Sequence, residues 1–178
     1  MATGTIAVRY ARALFALAKE QSVIEEVYND LTTLQILIKE NRFFKLFLNT
    51  PTIPVKEKKN LVSKILQDKF NFLTLKFLLY VFEQRREEFT ARMILKFIDF
   101  YNEENNIVPV NIKSANDITV KQVKEIEKII TEQLGKTPII ELNKNPELIG
   151  GYILTINDMQ IDKSVKTALS KFEKCCLE

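Results

Sequence analysis

Carboxylates and lysines are the side chains that could do chemistry in this sequence, because its 178 residues include no histidine. Asp158 and Asp162 lie four positions apart, a spacing at which two carboxylates could share general acid–base work. The lack of histidine excludes a Ser-His-Asp or Cys-His nucleophile and an imidazole metal ligand. Helix capping and surface ion pairing explain the two aspartates better than catalysis does, so we predict no catalytic residue.

Glycines and cysteines exclude further kinds of site. The four glycines are too scattered for a Walker loop or a dinucleotide-binding loop, and they are Gly4, Gly135, Gly150 and Gly151. Cys175 and Cys176 are adjacent, whereas a zinc site needs about four spaced ligands. Two cysteines suit a reducing compartment and offer no disulfide framework. We therefore predict neither a cofactor nor a bound metal ion.

A group of lysines forms a candidate basic surface, which we call the lysine face 56–69. Its members are Lys56, Lys58, Lys59, Lys64 and Lys69. The chain carries 26 Lys and Arg against 23 Asp and Glu, a formal net charge of +3, which is a small excess for a nucleic-acid binder. The pattern favours a solvated helix face. The alternative function is a helical RNA-binding or transcription-regulating module, which would bind phosphate with a steep salt dependence.

The pattern of residues 1–105 predicts an all-α six-helix bundle with short connections. Apolar residues recur at three- and four-residue spacing, and the predicted helices lie at 5–20, about 24–38, 41–48, 54–66, 71–84 and 88–104. Ser22 and Glu25 form a capping-box pattern before the second helix. Asn41 is placed to open the third helix.

Residues 106–178 predict a small α+β domain with the order β-α-β-β-α. The predicted strands lie at 107–113, 138–142 and 148–156. A capping-box pattern at Thr119 and Gln122 begins the first helix, and Gly135 ends it. The last helix is expected to start near Asp162 or Lys163, and its expected buried residues are Val165, Leu169 and Phe172.

Proline and paired glycines interrupt the predicted strands. Pro109 cannot donate to a ladder, so it predicts an edge position for its strand. Gly150 and Gly151 weaken a strand, and they indicate a bulge or a close backbone approach. The pair could serve folding alone or contribute to binding.

Two predicted helices carry more apolar surface than one core needs. On helix 5–20 the polar side covers only about 100° of the circumference, and one apolar flank consists of Ile6, Tyr10, Ala13 and Leu17. Segment 72–82 is apolar on nearly every side. Either both helices lie at the centre of the bundle, or each packs one flank inward and offers the other to a partner helix.

The sequence predicts neither a membrane span nor a secretory signal. Its most apolar run, 70–82, is shorter than the about 20 residues that a span needs, so it predicts a buried helix. The first residues show no charged segment followed by an apolar run. We expect no direct membrane insertion.

Two motifs resemble those of a known family. The segment Val8–Phe15, followed by a six-helix pattern, is similar to the start of the delta subunit of F-type ATP synthases, a family that includes the oligomycin-sensitivity-conferring protein. The stretch Leu148–Leu169 resembles the C-terminal signature of that family. Its motif residues here are Gly150, Gly151, Asp158, Ile161, Asp162, Ser164 and Val165. The Cys175–Cys176 ending departs from the family pattern.

The resemblance implies a non-catalytic peripheral-stalk, or stator, subunit of a hetero-oligomeric proton-transporting complex. Residues 1–105 would bind the N-terminal helix of an alpha subunit at the top of the catalytic head. Residues 106–178 would contact the C-terminal end of the b-subunit stalk, so that rotor torque drives ATP synthesis. The protein would lie at the cytoplasmic face of the bacterial inner membrane, or its organelle equivalent, without binding nucleic acid.

In this family the N-terminal helix of the alpha subunit lies in a groove between the first and fifth helices of the delta subunit. By order and spacing, Tyr10 and Ala13 match first-helix positions and Tyr80 matches a fifth-helix position. Ile6, Lys76 and Gln84 extend the same two faces, and Leu17 continues the flank of the first helix. These seven residues are the predicted partner-binding site.

Overall fold

The chain divides into two units, Met1–Tyr101 and Asn102–Glu178, which we call the N-terminal and C-terminal units. The computed structural model describes residues 2–50, 53–67, 69–157 and 159–177. In the described part of the N-terminal unit, α-helices follow one another without a strand. They are α1 (Ala2–Glu20), α2 (Ile24–Glu40), α3 (Arg42–Asn49), α4 (Val55–Leu66), α5 (Phe72–Glu83) and α6 (Thr90–Glu104), which ends in the C-terminal unit.

Apolar faces of these helices form the core of the N-terminal unit. Val27, Leu31 and Leu34 of α2 are buried at its centre. From α6, Phe97 is fully buried and meets the ring of Phe15 edge-on at 5.6 Å. The three- and four-residue spacing that predicts these helices also brings their apolar side chains to one interior.

The turn between α1 and α2 differs from the prediction. Val23, not Ser22, is the N-cap residue of α2, and it makes no side-chain capping hydrogen bond. Ser22 has a φ of 58°; its amide donates to the Lys19 carbonyl at 3.1 Å, and the Val23 amide donates to the Ala18 carbonyl at 3.0 Å. This pair of bonds is the Schellman arrangement. The predicted Ser22–Glu25 capping box is wrong because Ser22 ends α1.

Lys58 contradicts the predicted lysine face 56–69. Its side chain is fully buried, and its Nζ donates to the Leu48 carbonyl at 3.1 Å and to Glu87 Oε1 at 2.7 Å. Glu87 lies in a short 3-10 turn, Glu87–Phe89, before α6. Lys59 forms an ion pair with Glu83 of α5. A buried ammonium requires such partners because desolvation is costly. Lys58 and Lys59 therefore join elements, whereas Lys56, Lys64 and Lys69 are exposed as predicted.

The C-terminal unit contains a mixed sheet and two further helices among its described residues. The elements are β1 (Ile107–Ser114), α7 (Val120–Leu134), β2 (Thr137–Lys144), β3 (Tyr152–Ile156), β4 (Met159–Asp162) and α8 (Val165–Leu177). The strand order is β2-β1-β3-β4; β1 and β2 are parallel, and the other pairs are antiparallel. The predicted order β-α-β-β-α omits β4, because four residues carry too short an alternation to reveal a strand.

Pro109 lies in an interior strand, so its predicted edge position is wrong. The strand β1 pairs with β2 from Ile107 to Ser114, but it pairs with β3 only from Val110 onward. At Pro109, therefore, β1 has a neighbour on one side alone. A missing N–H is tolerated there as it would be at an edge.

Several predicted caps are confirmed. The Asn41 side chain accepts a hydrogen bond from the Phe44 amide at 3.0 Å and opens α3. Thr119 and Gln122 form the capping box of α7, and Gly135 ends that helix at a φ of 63°. These caps fix the ends of helices whose apolar faces pack inward.

The two helices of the C-terminal unit differ in how they cover the sheet. Ile130 of α7 is buried with Val108, Val110 and Ile112 of β1. The apolar residues predicted to be buried by α8 are exposed by 40–70%, and they are Val165, Leu169 and Phe172. Their predicted burial is wrong because α8 packs little against the unit: of its described side chains, Thr167 alone is partly buried.

Candidate functional site

A groove of about 590 Å³ lies between α1 and α5 in the N-terminal unit. We call it the α1–α5 groove. Its lining residues are Ile6, Arg9, Tyr10, Ala13, Leu14, Leu17, Gln21, Phe72, Leu73, Lys76, Phe77, Tyr80 and Arg86. Most of these side chains are apolar, so the groove can bury an apolar helix face.

One side of the groove is a flank of α1. Ala7, Ala11 and Ala18 on another flank are buried against the unit. That packing leaves Leu17 44% exposed toward the groove. Ala13 is also exposed and has no side chain beyond Cβ, so a partner backbone can approach α1 closely at this point.

The other side of the groove belongs to α5. Leu78, Val81 and Phe82 are buried and hold this helix in the core. Phe72 is 75% exposed and Tyr80 is 50% exposed, which leaves two aromatic side chains available at the groove. The helix therefore packs part of its apolar circumference inward and presents the rest outward.

Aromatic rings of the two groove walls lie close to each other and to two cationic side chains. The rings of Tyr10 and Tyr80 lie 6.0 Å apart between centroids. The Arg86 guanidinium lies 5.9 Å from the centroid of Tyr10, and the Lys76 ammonium lies 5.9 Å from that of Phe72. Both distances are within the range of cation–π attraction.

Two carboxylates of α2 fix the beginning of α5. Asp30 Oδ2 accepts a hydrogen bond from the Asn71 amide at 2.7 Å, and Glu26 accepts one from the Asn71 side chain. The Asn71 side chain also caps α5 by accepting from the Leu73 amide at 2.8 Å. Negative groups are favourable at this end of a helix, so α2 sets the position of the groove wall.

The structure brings together six of the seven predicted partner-binding residues. Ile6, Tyr10, Ala13 and Leu17 line the groove from α1, and Lys76 and Tyr80 line it from α5. Gln84 is not among the lining residues. It follows α5 as the C-cap, and its amide donates to the Tyr80 carbonyl at 3.0 Å.

Sequence reasoning missed several lining residues. Phe72 lies four positions before Lys76 and eight before Tyr80, so helical periodicity could have placed it on the same face. Arg9 is a charged residue beside Tyr10, so apolar periodicity does not point to it. Arg86 follows the end of α5, and no periodicity signal points to it.

The paired glycines of the C-terminal motif precede β3 and do not lie inside it, so the predicted strand 148–156 starts too early. A Cβ on Gly151 would lie 2.1 Å from the Lys163 carbonyl oxygen, and this residue has a φ of 75°. A Cβ on Gly150 would lie 2.9 Å from Val165 Cγ2. The predicted close backbone approach is therefore present, and it joins the start of β3 to the start of α8.

Asp162 organises the other end of this motif. Its Oδ1 accepts from the Ser164 amide and its Oδ2 from the Thr167 hydroxyl, both at 2.8 Å. The Ser164 hydroxyl accepts from the Thr167 amide at 3.2 Å, which caps α8. Ile161 is half-exposed on β4, and Asp158 lies outside the described residues. These contacts give the motif a folding role.

Neither a membrane-spanning helix nor a metal cluster occurs in the part of the chain that the structure describes. Each helix there is too short or too polar to cross a bilayer. In the same residues, no group of three Cys, Asp or Glu side chains is arranged to hold a metal ion.

Comparisons with known proteins identify the family. The model of the ATP synthase delta (OSCP) subunit family matches residues 6–175. ATP synthase subunit delta of Symbiobacterium thermophilum is 31% identical over 174 residues, which cover 98% of this chain and 94% of that protein. The corresponding subunit of Desulforamulus reducens is 33% identical over 170 residues, covering 96% and 94%.

A solved structure supports the same assignment. A chain in the cryo-EM structure of the Toxoplasma gondii mitochondrial ATP synthase hexamer has a TM-score of 0.76 to this chain. The two are 26% identical, and the match covers 97% of each. The chain therefore belongs to the ATP synthase delta (OSCP) subunit family, whose members are non-catalytic subunits of a membrane-associated ATP synthase.

Proposed function

We propose that this protein is the stator link of an F-type ATP synthase. Its N-terminal unit binds the N-terminal helix of an alpha subunit in the α1–α5 groove. Its C-terminal unit binds the C-terminal end of the b-subunit stalk. The observation that carries the proposal is the groove itself, an apolar channel on the helices that the family resemblance also indicates.

The function is mechanical. Proton flow turns the rotor, and the catalytic head would turn with it unless the head were tied to the membrane-anchored stalk. A helix lying in an apolar groove ties the two without a covalent bond. Buried aromatic and aliphatic anchors slow dissociation, and a lasting link requires a low dissociation rate.

The dimensions of the groove suit a short helix. On α5 the lining runs from Phe72 to Tyr80, or about 12 Å. Along α1 it runs from Ile6 to Gln21, the residue that follows this helix, or about 22 Å. A partner helix of about two to four turns would fill that length. The small side chain of Ala13 lies within this span and leaves room for the backbone of the partner.

The C-terminal unit also offers apolar surface. Leu169 and Phe172 of α8 are 55% and 70% exposed, and Met159 of β4 is 63% exposed. Exposed apolar side chains on successive elements are typical of an interaction surface. Attachment through both units would raise the effective concentration of each contact. The assembled complex would hold the protein at the cytoplasmic face of the bacterial inner membrane, or at its organelle equivalent.

The alternative, an RNA-binding or transcription-regulating module, finds no support. The lysine face on which it depends is interrupted, because Lys58 is buried with Glu87 and Lys59 pairs with Glu83. The family match also leads to an ATP synthase subunit.

The test is binding of the full chain to a synthetic peptide of the alpha N-terminal segment from the same source, measured by calorimetry. We expect binding that persists at about 0.3 M salt, where exposed charges are largely screened. Absence of binding at high micromolar peptide would overturn the groove assignment. An affinity pull-down of the full chain from native membranes should recover alpha and b subunits, and recovery of alpha alone would refute the b-subunit contact.

A further inference from the structure

The charges along the α1–α5 groove have one sign. Three lining residues, Arg9, Lys76 and Arg86, are cationic, and no carboxylate occurs among the described residues that line the groove. The whole chain is nearly balanced, with 26 basic and 23 acidic residues. The groove is therefore a local positive field on a protein of small net charge.

These cations are available to a partner. Within the described residues, none of the three forms a salt bridge with a carboxylate of this chain. Arg9 and Lys76 are exposed and Arg86 is partly exposed, so none of the three is enclosed by its own unit. Aromatic rings orient two of them, since Arg86 lies over Tyr10 and Lys76 over Phe72.

The cations also stand on both sides of the groove. Arg9 belongs to α1, Lys76 belongs to α5, and Arg86 lies beyond the end of α5 next to the Tyr10 ring. A helix that places an apolar stripe between α1 and α5 would turn the residues beside its stripe toward these cations. Carboxylates at those positions would pair with them, whereas lysines would be repelled.

We infer that the α1–α5 groove selects an amphipathic helix that carries acidic side chains on both borders of its apolar stripe. The inference rests on the proposed function, in which that helix is the alpha N-terminal segment. The apolar contacts supply most of the affinity for the helix. The charges of Arg9, Lys76 and Arg86 determine which helices are preferred, and they raise the association rate. Basic amphipathic helices are thereby excluded from the same groove.

The experiment uses the full chain and three synthetic amphipathic peptides. All three share one apolar stripe, and the positions that border it are glutamate, glutamine or lysine. We expect fluorescence anisotropy to rank the affinities glutamate, then glutamine, then lysine. The first and last should differ by about tenfold or more at low salt, because three exposed pairs contribute a few-fold each. The difference should shrink as salt increases.

A matched pair of variants locates the effect. Replacing Arg9, Lys76 and Arg86 by glutamine should make the three peptides bind within about twofold of one another. A control with Lys39, Lys56 and Lys64 replaced by glutamine removes the same charge from exposed residues of the N-terminal unit that do not line the groove, and it should keep the ranking. Circular dichroism checks that both variants are folded.

The outcomes separate the two proposals. If all three peptides and the alpha peptide bind the wild-type chain equally at low salt, the charge selection is refuted and the groove function stands. If the control variant also loses the ranking, net charge and not the groove rim is responsible, and the inference fails. If no peptide binds, both the inference and the groove function fail.

Discussion

The rings of Tyr10 and Tyr80 lie 6.0 Å apart at an interplanar angle of 31°, and they join α1 to α5 at the groove. Beneath them, Ala7 and Val81 are buried together with Met93 of α6. The groove therefore rests on packed helices and is formed before a partner arrives. A preformed site has a smaller ordering cost on binding than a site that must assemble.

Filling the groove should abolish partner binding without disturbing the fold. In the Ala13→Trp variant, an indole would occupy the space that a partner backbone needs. Since Ala13 is exposed, the helical circular dichroism should not change. We expect the affinity for the alpha peptide to fall at least about 100-fold, which calorimetry would measure.

The matched control for Ala13→Trp is Ala16→Trp. Ala16 is exposed on the same helix but does not line the groove. This variant should bind the peptide as the wild-type chain does. Equal loss of binding in both variants would mean that indole bulk on α1, and not occupation of the groove, is responsible.

Breaking the buried ion pair should destabilise the N-terminal unit strongly. The Lys58→Ala variant leaves Glu87 largely buried and without its cation, so the free energy of unfolding should fall by about 3–5 kcal/mol. The double variant Lys58→Met with Glu87→Leu should recover much of that loss. Urea denaturation followed by circular dichroism gives both values.

A more exposed ion pair supplies the comparison for Lys58. Lys59 and Glu83 are partly exposed, so Lys59→Ala should lower the free energy of unfolding by at most about 1 kcal/mol. Similar losses at the two lysines would show that burial of the Lys58–Glu87 pair has no energetic importance.

The glycine at the start of β3 should tolerate no side chain. In Gly151→Ala the new Cβ would meet the Lys163 carbonyl oxygen, so we expect a loss of at least about 3 kcal/mol of stability in the C-terminal unit. Gly135 also has a positive φ but has open space around it, so Gly135→Ala should cost only about 1 kcal/mol. Thermal denaturation would rank the variants, and equal shifts would rule out the steric explanation.

Replacing Ser22 tests how the α1–α2 turn is built. Because Ser22 ends α1 in the left-handed conformation, Ser22→Gly should raise the free energy of unfolding by about 0.5–1 kcal/mol. Ser22→Ala should change it by less than about 0.3 kcal/mol, since alanine and serine share the same backbone strain. An N-cap serine would give the opposite result, a loss of about 1 kcal/mol on replacement by alanine.

High pH should destabilise the N-terminal unit through Tyr101 of α6, whose ring stacks on that of Tyr28 of α2 with centroids 4.0 Å apart. Burial, followed by the charge of Glu25 and the neighbouring Tyr28, raises the pKa of Tyr101 above its ordinary value of 10.0. The folded protein thus favours the neutral phenol, and this stabilisation is complete below about pH 10 and is lost as the pH rises further. Between about pH 9 and 11, the free energy of unfolding should fall more steeply for the wild-type chain than for Tyr101→Phe. Parallel curves in urea titrations would contradict this linkage.

Local patterns were enough to predict the helices and the surplus apolar surface of α1 and α5, and the family resemblance added the groove between them. Ile6, Tyr10, Ala13 and Leu17 recur at helical spacing, so they share a face wherever the helix packs. The caps at Asn41 and Thr119 are likewise properties of a few neighbouring residues.

Features that depend on distant partners escaped sequence reasoning. Lys58 lies four and eight positions before the buried Val62 and Leu66, so helical spacing places it on the inward face of α4. Its partner carboxylate, Glu87, is 29 positions away, and no local pattern reveals it. From its residue type alone, Ser22 could either end α1 or cap the start of α2. The hydrogen bonds to the carbonyls of the last turn of α1 show that it ends α1. The short β4 becomes recognisable only when β3 lies beside it.

The buried Lys58–Glu87 pair should constrain how these two positions change during evolution. A lineage that loses the lysine first carries a lone carboxylate in its interior, and one that loses the glutamate first carries a lone ammonium. Either single replacement gives a less stable protein, so selection acts against a change at one position unless the other position changes too. Among descendants of this sequence, we therefore expect the two residues to be retained together or replaced together.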